Sequence, residues 1–194
     1  RRRHERARGS GRRVFTLGAA HSGSAGRLLA MGAASGDPPK VNIELLIGQR
    51  FNLVRDGQPM KMSKRAGTVI SLEDLVEAIG VDAGRYALVR SSADSQIDID
   101  LDLWARKTSD NPVFYEQYDA TRAASVRRNA RDLGITPGGA LGLLTHPREN
   151  ELLLALAEFP GVVATAAELL EPHRVARYLE EKVAKSAQRF WDDC

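Results

Sequence analysis

Cysteine is almost absent from this chain of 194 residues, in which Cys194 is the only one. A single thiol excludes a disulfide-stabilised scaffold and any zinc site built on paired cysteines. The sequence also lacks an apolar run near the roughly 20 residues that span a membrane, and it lacks a signal-peptide pattern. These absences predict a cytoplasmic protein that does not associate with membranes.

Positive charge is concentrated at the start of the chain. Residues 1–13 hold seven arginines and one glutamate, which gives this segment a net charge of +6. Because the whole chain has a net charge of +3, the other 181 residues have a net charge of −3. Because this segment has few apolar residues to bury, it predicts a disordered tail; a basic arm that touches RNA is the alternative. Nucleic acid would bind the folded body only through local patches.

Strand patterns are confined to the first hundred residues. We predict a buried strand at 14–18, a helix at 27–34 and strands at 41–47 and 51–55, the last closed by a hairpin turn at Asp56-Gly57. Ser71 and Asp74 fit a capping box, and Asp82 is expected to cap the following helix. Residues 96–103 alternate apolar residues with aspartates, which predicts a strand with an acidic exposed side.

Helical patterns follow one another after residue 105. They predict helices at 112–133, 148–159 and 162–170, and a last helix that begins at Pro172. The chain therefore divides into an α/β part and an all-α part, and is mostly α overall.

One basic loop carries the strongest chemical signal. It reads Met60-Lys61-Met62-Ser63-Lys64-Arg65-Ala66-Gly67-Thr68 and lies between a hairpin strand and a capped helix. Two ammonium groups, a hydroxyl and a glycine suit a loop that closes over a polyphosphate. Such a loop would stabilise the charge that develops on ATP when a carboxylate attacks the α-phosphate. An exposed basic loop without a ligand is the alternative.

The string KMSKR resembles the KMSKS signature of class I aminoacyl-tRNA synthetases. The flanking strings NPVFYEQYDATR and EPHRVARYLEE resemble the arginyl-tRNA synthetase family, of the actinobacterial type, and the resemblance covers most of residues 14–193. It implies a Rossmann-like catalytic part at 14–105, preceded by the tail at 1–13. It also implies an incomplete all-α anticodon-binding bundle, of the DALR type, at 106–194.

The resemblance implies an ATP-binding loop at Lys61, Met62, Ser63, Lys64 and Arg65. Lys61 and Lys64 would be the catalytic residues, and Lys64 the principal phosphate contact. His21 and Gln49 would also lie at the ATP site; for Gln49 a polar strand residue at a turn is an equal alternative. The implied substrates and partners are ATP with Mg²⁺, arginine and tRNA(Arg), and we expect a monomer without a bound metal of its own.

The helix predicted from Pro112 carries a candidate RNA face. At 100° per residue its aromatic and polar residues Tyr115, Tyr118, Arg122, Ser125 and Asn129 fall on one side, and Arg127, Arg128 and Arg131 on another. Aromatic rings stack on unpaired bases, and arginines meet phosphates. We predict tRNA contacts at Tyr115, Tyr118, Arg122, Arg127, Arg128 and Asn129. Burial of both tyrosines in the bundle core is an equal alternative.

The sequence departs from the family pattern in three places. A HIGH-type motif is absent, Ala20 stands where the family has an acidic residue, and Asp119 introduces an acid near the predicted RNA face. A carboxylate suits a guanidinium substrate, so Ala20 weakens arginine recognition. With its start at Arg1, the chain is expected to be an inactive piece of a longer arginine–tRNA ligase. A non-catalytic tRNA-binding module and a non-functional truncated product are the alternatives.

Overall fold

The computed structural model describes residues 13–36, 42–60 and 70–194. The described chain divides into two compact units: the first contains the residues up to Asn52 together with Ala93–Asp98, and the second contains the rest. The predicted ATP-binding residues Lys61, Met62, Ser63, Lys64 and Arg65 lie outside the described residues, as does most of the arginine-rich start.

The first unit is built on two parallel strands, β1 (Arg13–Gly18) and β2 (Ile43–Gly48), which are connected through a 3-10 helix (Ala19–Ser24) and α1 (Ala25–Ala34). Helix α1 approaches β2 closely, because a Cβ atom at Gly32 would lie 2.3 Å from the end of the Ile43 side chain. The predicted strand at 14–18 is confirmed, but its predicted burial is wrong. Alternate side chains are exposed, and Val14 is 45% exposed.

A hairpin follows, formed by β3 (Phe51–Arg55) and β4 (Gln58–Pro59), with β5 (Ile97–Asp100) on the other side of β3. The predicted turn is confirmed, since Asp56 and Gly57 both have positive φ, at 50° and 70°, as a type I′ turn requires.

The strand predicted at 96–103 is confirmed only in its first half. It ends at Asp100, whose carboxylate accepts from the backbone N–H groups of Asp102 and Leu103 and begins α4 (Leu101–Ala105). Asp102 in turn accepts from the backbone N–H of Asp56 at 2.7 Å. Asp100 and Asp102 therefore accept from backbone N–H groups, and of the three aspartates only Asp98 is exposed as predicted.

Helix α2 (Leu72–Ile79) begins with the predicted capping box: the Asp74 backbone N–H donates to Ser71 Oγ at 3.1 Å, and the Ser71 N–H donates to Asp74 at 2.8 Å. The predicted cap of α3 (Val81–Val89) is wrong. Gly80, with φ of 83°, takes the N-cap position, and Asp82 lies inside the first turn, where it accepts from Gln117. Gly80 separates two consecutive helices because only glycine adopts this backbone freely.

Replacing Ser71 by alanine is expected to lower the free energy of unfolding of the second unit by about 1 kcal/mol, because the cap satisfies an otherwise free N–H group. Urea unfolding followed by tryptophan fluorescence measures this unit alone, since Trp104 and Trp191, the two tryptophans, both lie in it. Thr136→Ala removes a hydroxyl from an exposed loop and is the control. An equal loss in both variants would contradict the capping role.

The helical part starts with α5 (Pro112–Asp132), which has Pro112 at its first position and the Asn111 side chain as its cap. Helices α6 (Pro147–Ala157) and α7 (Phe159–Leu169) follow, with Pro160 and Gly161 in the first turn of α7. The last helix is α8 (His173–Tyr178), a π-helical segment (Leu179–Ala184) and α9 (Lys185–Asp193). The predicted helices are confirmed; the π-helical segment has no counterpart in the prediction.

Helices α6 and α7 contradict the expectation that the sequence has no apolar run long enough to span a membrane. Together Pro147–Leu169 form a stretch of 23 residues that is long and apolar enough to cross a membrane by length and composition. Only 11% of its most apolar window is buried within the chain. It nevertheless contacts the last helix through the ion pair of Glu158 with Lys182 of the π-helical segment, at 2.5 Å, and through a hydrogen bond from Tyr178 of α8 to the Ala155 carbonyl.

Candidate functional site

His21 and Gln49 both lie at the carboxyl edge of the parallel strand pair. Gly18 and Gly48 end β1 and β2 in register, so the residues that follow them leave the sheet at the same edge. Both side chains are exposed, and the Gln49 backbone N–H donates to the Ala93 carbonyl at 2.7 Å. The carboxyl edge of a parallel sheet is where α/β folds bind nucleotides, so the backbone places these two predicted residues suitably.

Helix α5 presents most of its surface to solvent, because none of its residues is fully buried. Tyr118 is 52% exposed, and Tyr115 is half-buried beside a small cavity of about 200 Å³ that Phe114 and Gln188 also line. Burial, followed by the negative charge of Asp119, raises the pKa of the Tyr115 hydroxyl. The two tyrosines therefore do not form a buried core, and one of them is open to a ligand.

Arg122 is held between two aromatic rings. Its guanidinium carbon lies 4.4 Å from the ring centre of Trp191 and 5.6 Å from that of Tyr118. Its Nη1 also donates to Gln188 Oε1 at 2.8 Å, and Gln188 donates onward to Asp192. Cation–π contacts of this kind contribute roughly 0.5–2 kcal/mol, so Arg122 orients the two rings and joins α5 to α9.

The second predicted group on α5 remains free for an external partner. Its arginines Arg127, Arg128 and Arg131 are exposed, as is Asn129 of the first group, and Arg128 donates to Ser125 Oγ at 2.7 Å. Within the described ranges, no carboxylate forms an ion pair with Arg127 or Arg128. Positive charges without acidic partners are suited to phosphates, because no internal ion pair has to be broken first.

Asp119, which the sequence places near the RNA face, turns partly inward. Its Oδ2 atom is buried, and burial raises its pKa. The structure adds two residues that the sequence reasoning missed, Trp191 and Gln188, both on α9 and both in contact with Arg122. The half-exposed Trp191 ring near the end of an amphipathic helix was the available signal, but its partner on α5 is 69 positions away.

Two family models match this chain. One is the DALR anticodon binding domain, at residues 116–194, and the other is the class I tRNA synthetases (I, L, M and V), at residues 47–101. The first match contains α5 from Glu116 onward and the whole last helix. The second contains the hairpin and the basic loop that follows it.

Individual relatives are more specific. An arginine–tRNA ligase of Clavibacter sepedonicus is 56% identical over 191 residues, and one of Kineococcus radiotolerans is 59% identical over 192. Each alignment covers 98% of this chain and 34% of the relative, so the chain spans about a third of their length. A crystal structure of a Campylobacter jejuni protein, assigned as an arginyl-tRNA synthetase, is 26% identical with a TM-score of 0.83 and covers 100% of this chain and 42% of that one.

Proposed function

We propose, from the premise that this chain carries the C-terminal region of the arginyl-tRNA synthetase family, that the exposed face of α5 together with Trp191 binds tRNA(Arg). The single observation that supports this most is the stack of Tyr118, Arg122 and Trp191. Arg127 and Arg128 are exposed on another side of the same helix and have no ion-pair partner among the described residues. Exposed rings that are already oriented stack on unpaired bases with little further loss of entropy.

The reaction that we assign to the whole enzyme is the activation of arginine by ATP, followed by transfer of the arginyl group to tRNA(Arg). Mg²⁺ would arrive with ATP and offset its phosphate charge. In this chain, Lys61 and Lys64 of the basic loop would stabilise the charge that develops during adenylation. His21 and Gln49 would line the nucleotide, which their position at the carboxyl edge of β1 and β2 supports.

The partners that we propose are tRNA(Arg), arginine and ATP, and we expect the chain to be a cytoplasmic monomer. We assign the apolar stretch of α6 and α7 to a soluble helical bundle and not to a membrane. The ion pair of Glu158 with Lys182 supports this assignment, because a charged pair near the middle of the stretch would be costly in lipid.

The chain of 194 residues is expected to show no ATP–pyrophosphate exchange with arginine and tRNA(Arg), because it lacks a HIGH-type motif and the groups that orient arginine. The measurement compares the purified chain with its Lys64→Ala variant. Equal background in the two supports the proposal. Exchange that Lys64→Ala abolishes would contradict it and would mean that the nucleotide site is complete.

RNA binding is tested independently of catalysis. The chain is expected to bind labelled tRNA(Arg) with an affinity that falls steeply as salt rises, because phosphate contacts release bound counterions. A filter-binding titration at several salt concentrations measures this, and an unrelated tRNA of the same length is the control. Failure to bind tRNA(Arg) at low salt would leave this chain without the proposed activity.

A further inference from the structure

A group of half-buried carboxylates lies where α5 faces α3 and the π-helical segment. Glu116 and Asp119 come from α5, and Glu180 comes from the π-helical segment. Glu180 is engaged: both of its oxygens accept from Arg90 Nε on α3, at 2.7 and 3.0 Å. Among the described residues no cation forms an ion pair with Glu116, and the charge of Arg122 only partly offsets the effect of burial on the pKa of Asp119.

Each of the two α5 carboxylates has one oxygen atom in an unfavourable environment. Glu116 Oε1 and Asp119 Oδ2 are both buried, and neither has a hydrogen-bond partner in the described part of the chain. An ionised carboxylate in such a position loses its hydration, and no hydrogen bond or ion pair compensates for that loss. A protonated carboxyl avoids most of this cost, because the neutral group is only weakly solvated.

The charges around Glu116 act in the same direction. Burial, then the charge of Glu180, then that of Asp119 raise the pKa of Glu116 from 4.5 to about 7. Burial and the charge of Glu180 also raise the pKa of Tyr86 on α3, so the phenol of Tyr86 stays neutral. The positive charge of Arg90 is already paired with Glu180. No metal site relieves the repulsion, because no group of three ligating side chains occurs among the described residues.

We infer that Glu116 is a pH-sensitive latch between α5 and the π-helical segment of the last helix. When it carries a proton, its carboxyl group packs against the Glu180–Arg90 pair and the two helices stay together. When it loses the proton, a second negative charge faces Glu180 in a half-buried position and the contact loosens. This device adds to the proposed RNA binding but does not depend on it, because it concerns the packing of α5 in the chain alone.

The direction of the pH dependence follows from linkage. The folded state holds the proton of Glu116 more tightly than the unfolded chain does, so its contribution to stability is complete below about pH 4.5. The contribution falls as the pH rises from there to about 7, and it is constant above that. Loosening is therefore expected between about pH 4.5 and about pH 7, with little further change at higher pH.

The first test compares melting temperatures of the full chain at pH 5 and pH 8. Between these values the wild type should lose roughly 4 °C more than Glu116→Gln, which cannot ionise. All other residues are the same in both proteins, so the comparison isolates the carboxyl group of Glu116. Asp132→Asn, which removes an exposed carboxylate from the end of the same helix, should keep the wild-type pH dependence. The same loss in Glu116→Gln as in the wild type would overturn the inference.

A second measurement needs no stable variant. In protein labelled with ¹³C at the glutamate carboxyl carbons, one resonance should titrate close to pH 7, far from the ordinary range of the other glutamates. The indole N–H signal of Trp191, which contacts Arg122 on α5, should shift over the same pH range as the helices loosen. A spectrum in which all glutamates titrate below pH 5.5 would overturn the latch.

Discussion

Replacing Arg127 and Arg128 together by alanine is expected to weaken the binding of tRNA(Arg) by roughly tenfold or more at moderate salt, because each phosphate contact releases counterions worth about 1 kcal/mol. The slope of log affinity against log salt should become shallower by about 1 to 2. Both side chains are exposed on α5 and have no acidic partner among the described residues, so the melting temperature should not change. A filter-binding titration at three or more salt concentrations measures affinity and slope together.

The matched control removes two arginines from other helices. Arg85 on α3 and Arg177 on α8 are both exposed, and their double replacement by alanine lowers the net charge by the same amount. If the control pair weakens binding as much as the α5 pair, the effect is one of total charge and the proposed RNA face is wrong. If only the α5 pair matters, the face is localised to this helix.

Asn111→Ala is expected to destabilise the second unit by about 3 kcal/mol, the largest effect of a single substitution that we predict on stability. Asn111 is only 3% exposed, and its Nδ2 donates to the carbonyls of Trp104 and Arg106 at 2.9 and 2.7 Å. Its Oδ1 accepts from the Val113 N–H and caps α5. Alanine would lose a cap worth about 1 kcal/mol and leave two carbonyls without donors at a similar cost each. Urea unfolding followed by tryptophan fluorescence measures the change.

Asn111→Asp separates the two roles of this side chain. It keeps an oxygen that accepts from the N-terminus of α5 but has no N–H group to give the two carbonyls. We therefore expect it to lose about 2 kcal/mol, less than alanine but more than the loss of a cap alone. Wild-type stability in Asn111→Asp would show that the carbonyls of Trp104 and Arg106 do not need the amide, and would contradict this account of the junction between α4 and α5.

Local signals predicted the elements well because the residues concerned act on their own neighbours. The Ser71 capping box, the Asp56-Gly57 turn and the start of α5 at Pro112 all depend on contacts within four positions of the chain. The errors had local and distant causes. Asp100 ends the strand predicted at 96–103 by accepting from the N–H groups of its near neighbours Asp102 and Leu103. Asp82 does not cap α3 because Gly80 takes the cap position, and its carboxylate accepts from Gln117 instead.

The candidate site was likewise predicted in part from local signals, and the rest of it depended on how the helices pack. Helical spacing alone predicted that Tyr118, Arg122 and Asn129 share one side of a helix, since the period of 3.6 residues determines it. It did not distinguish an exposed stripe from a buried one, because exposure depends on which helices pack against α5. The structure leaves Tyr118 open and adds Trp191, 69 positions from Arg122. The assignment of these residues to tRNA binding stays a prediction.

The sequence by itself therefore predicted the family resemblance, the order of the helices and strands, and most of the caps and turns that begin and end them, because short-range hydrogen bonds and periodicity are properties of neighbouring residues. Only the tertiary structure decided which carboxylates are buried without partners in the described part of the chain, which of its arginines form no ion pair there, and which aromatic rings contact Arg122. These features depend on desolvation and on contacts between helices that are distant in the chain. For that reason the latch at Glu116 becomes visible only when α5 lies against the last helix.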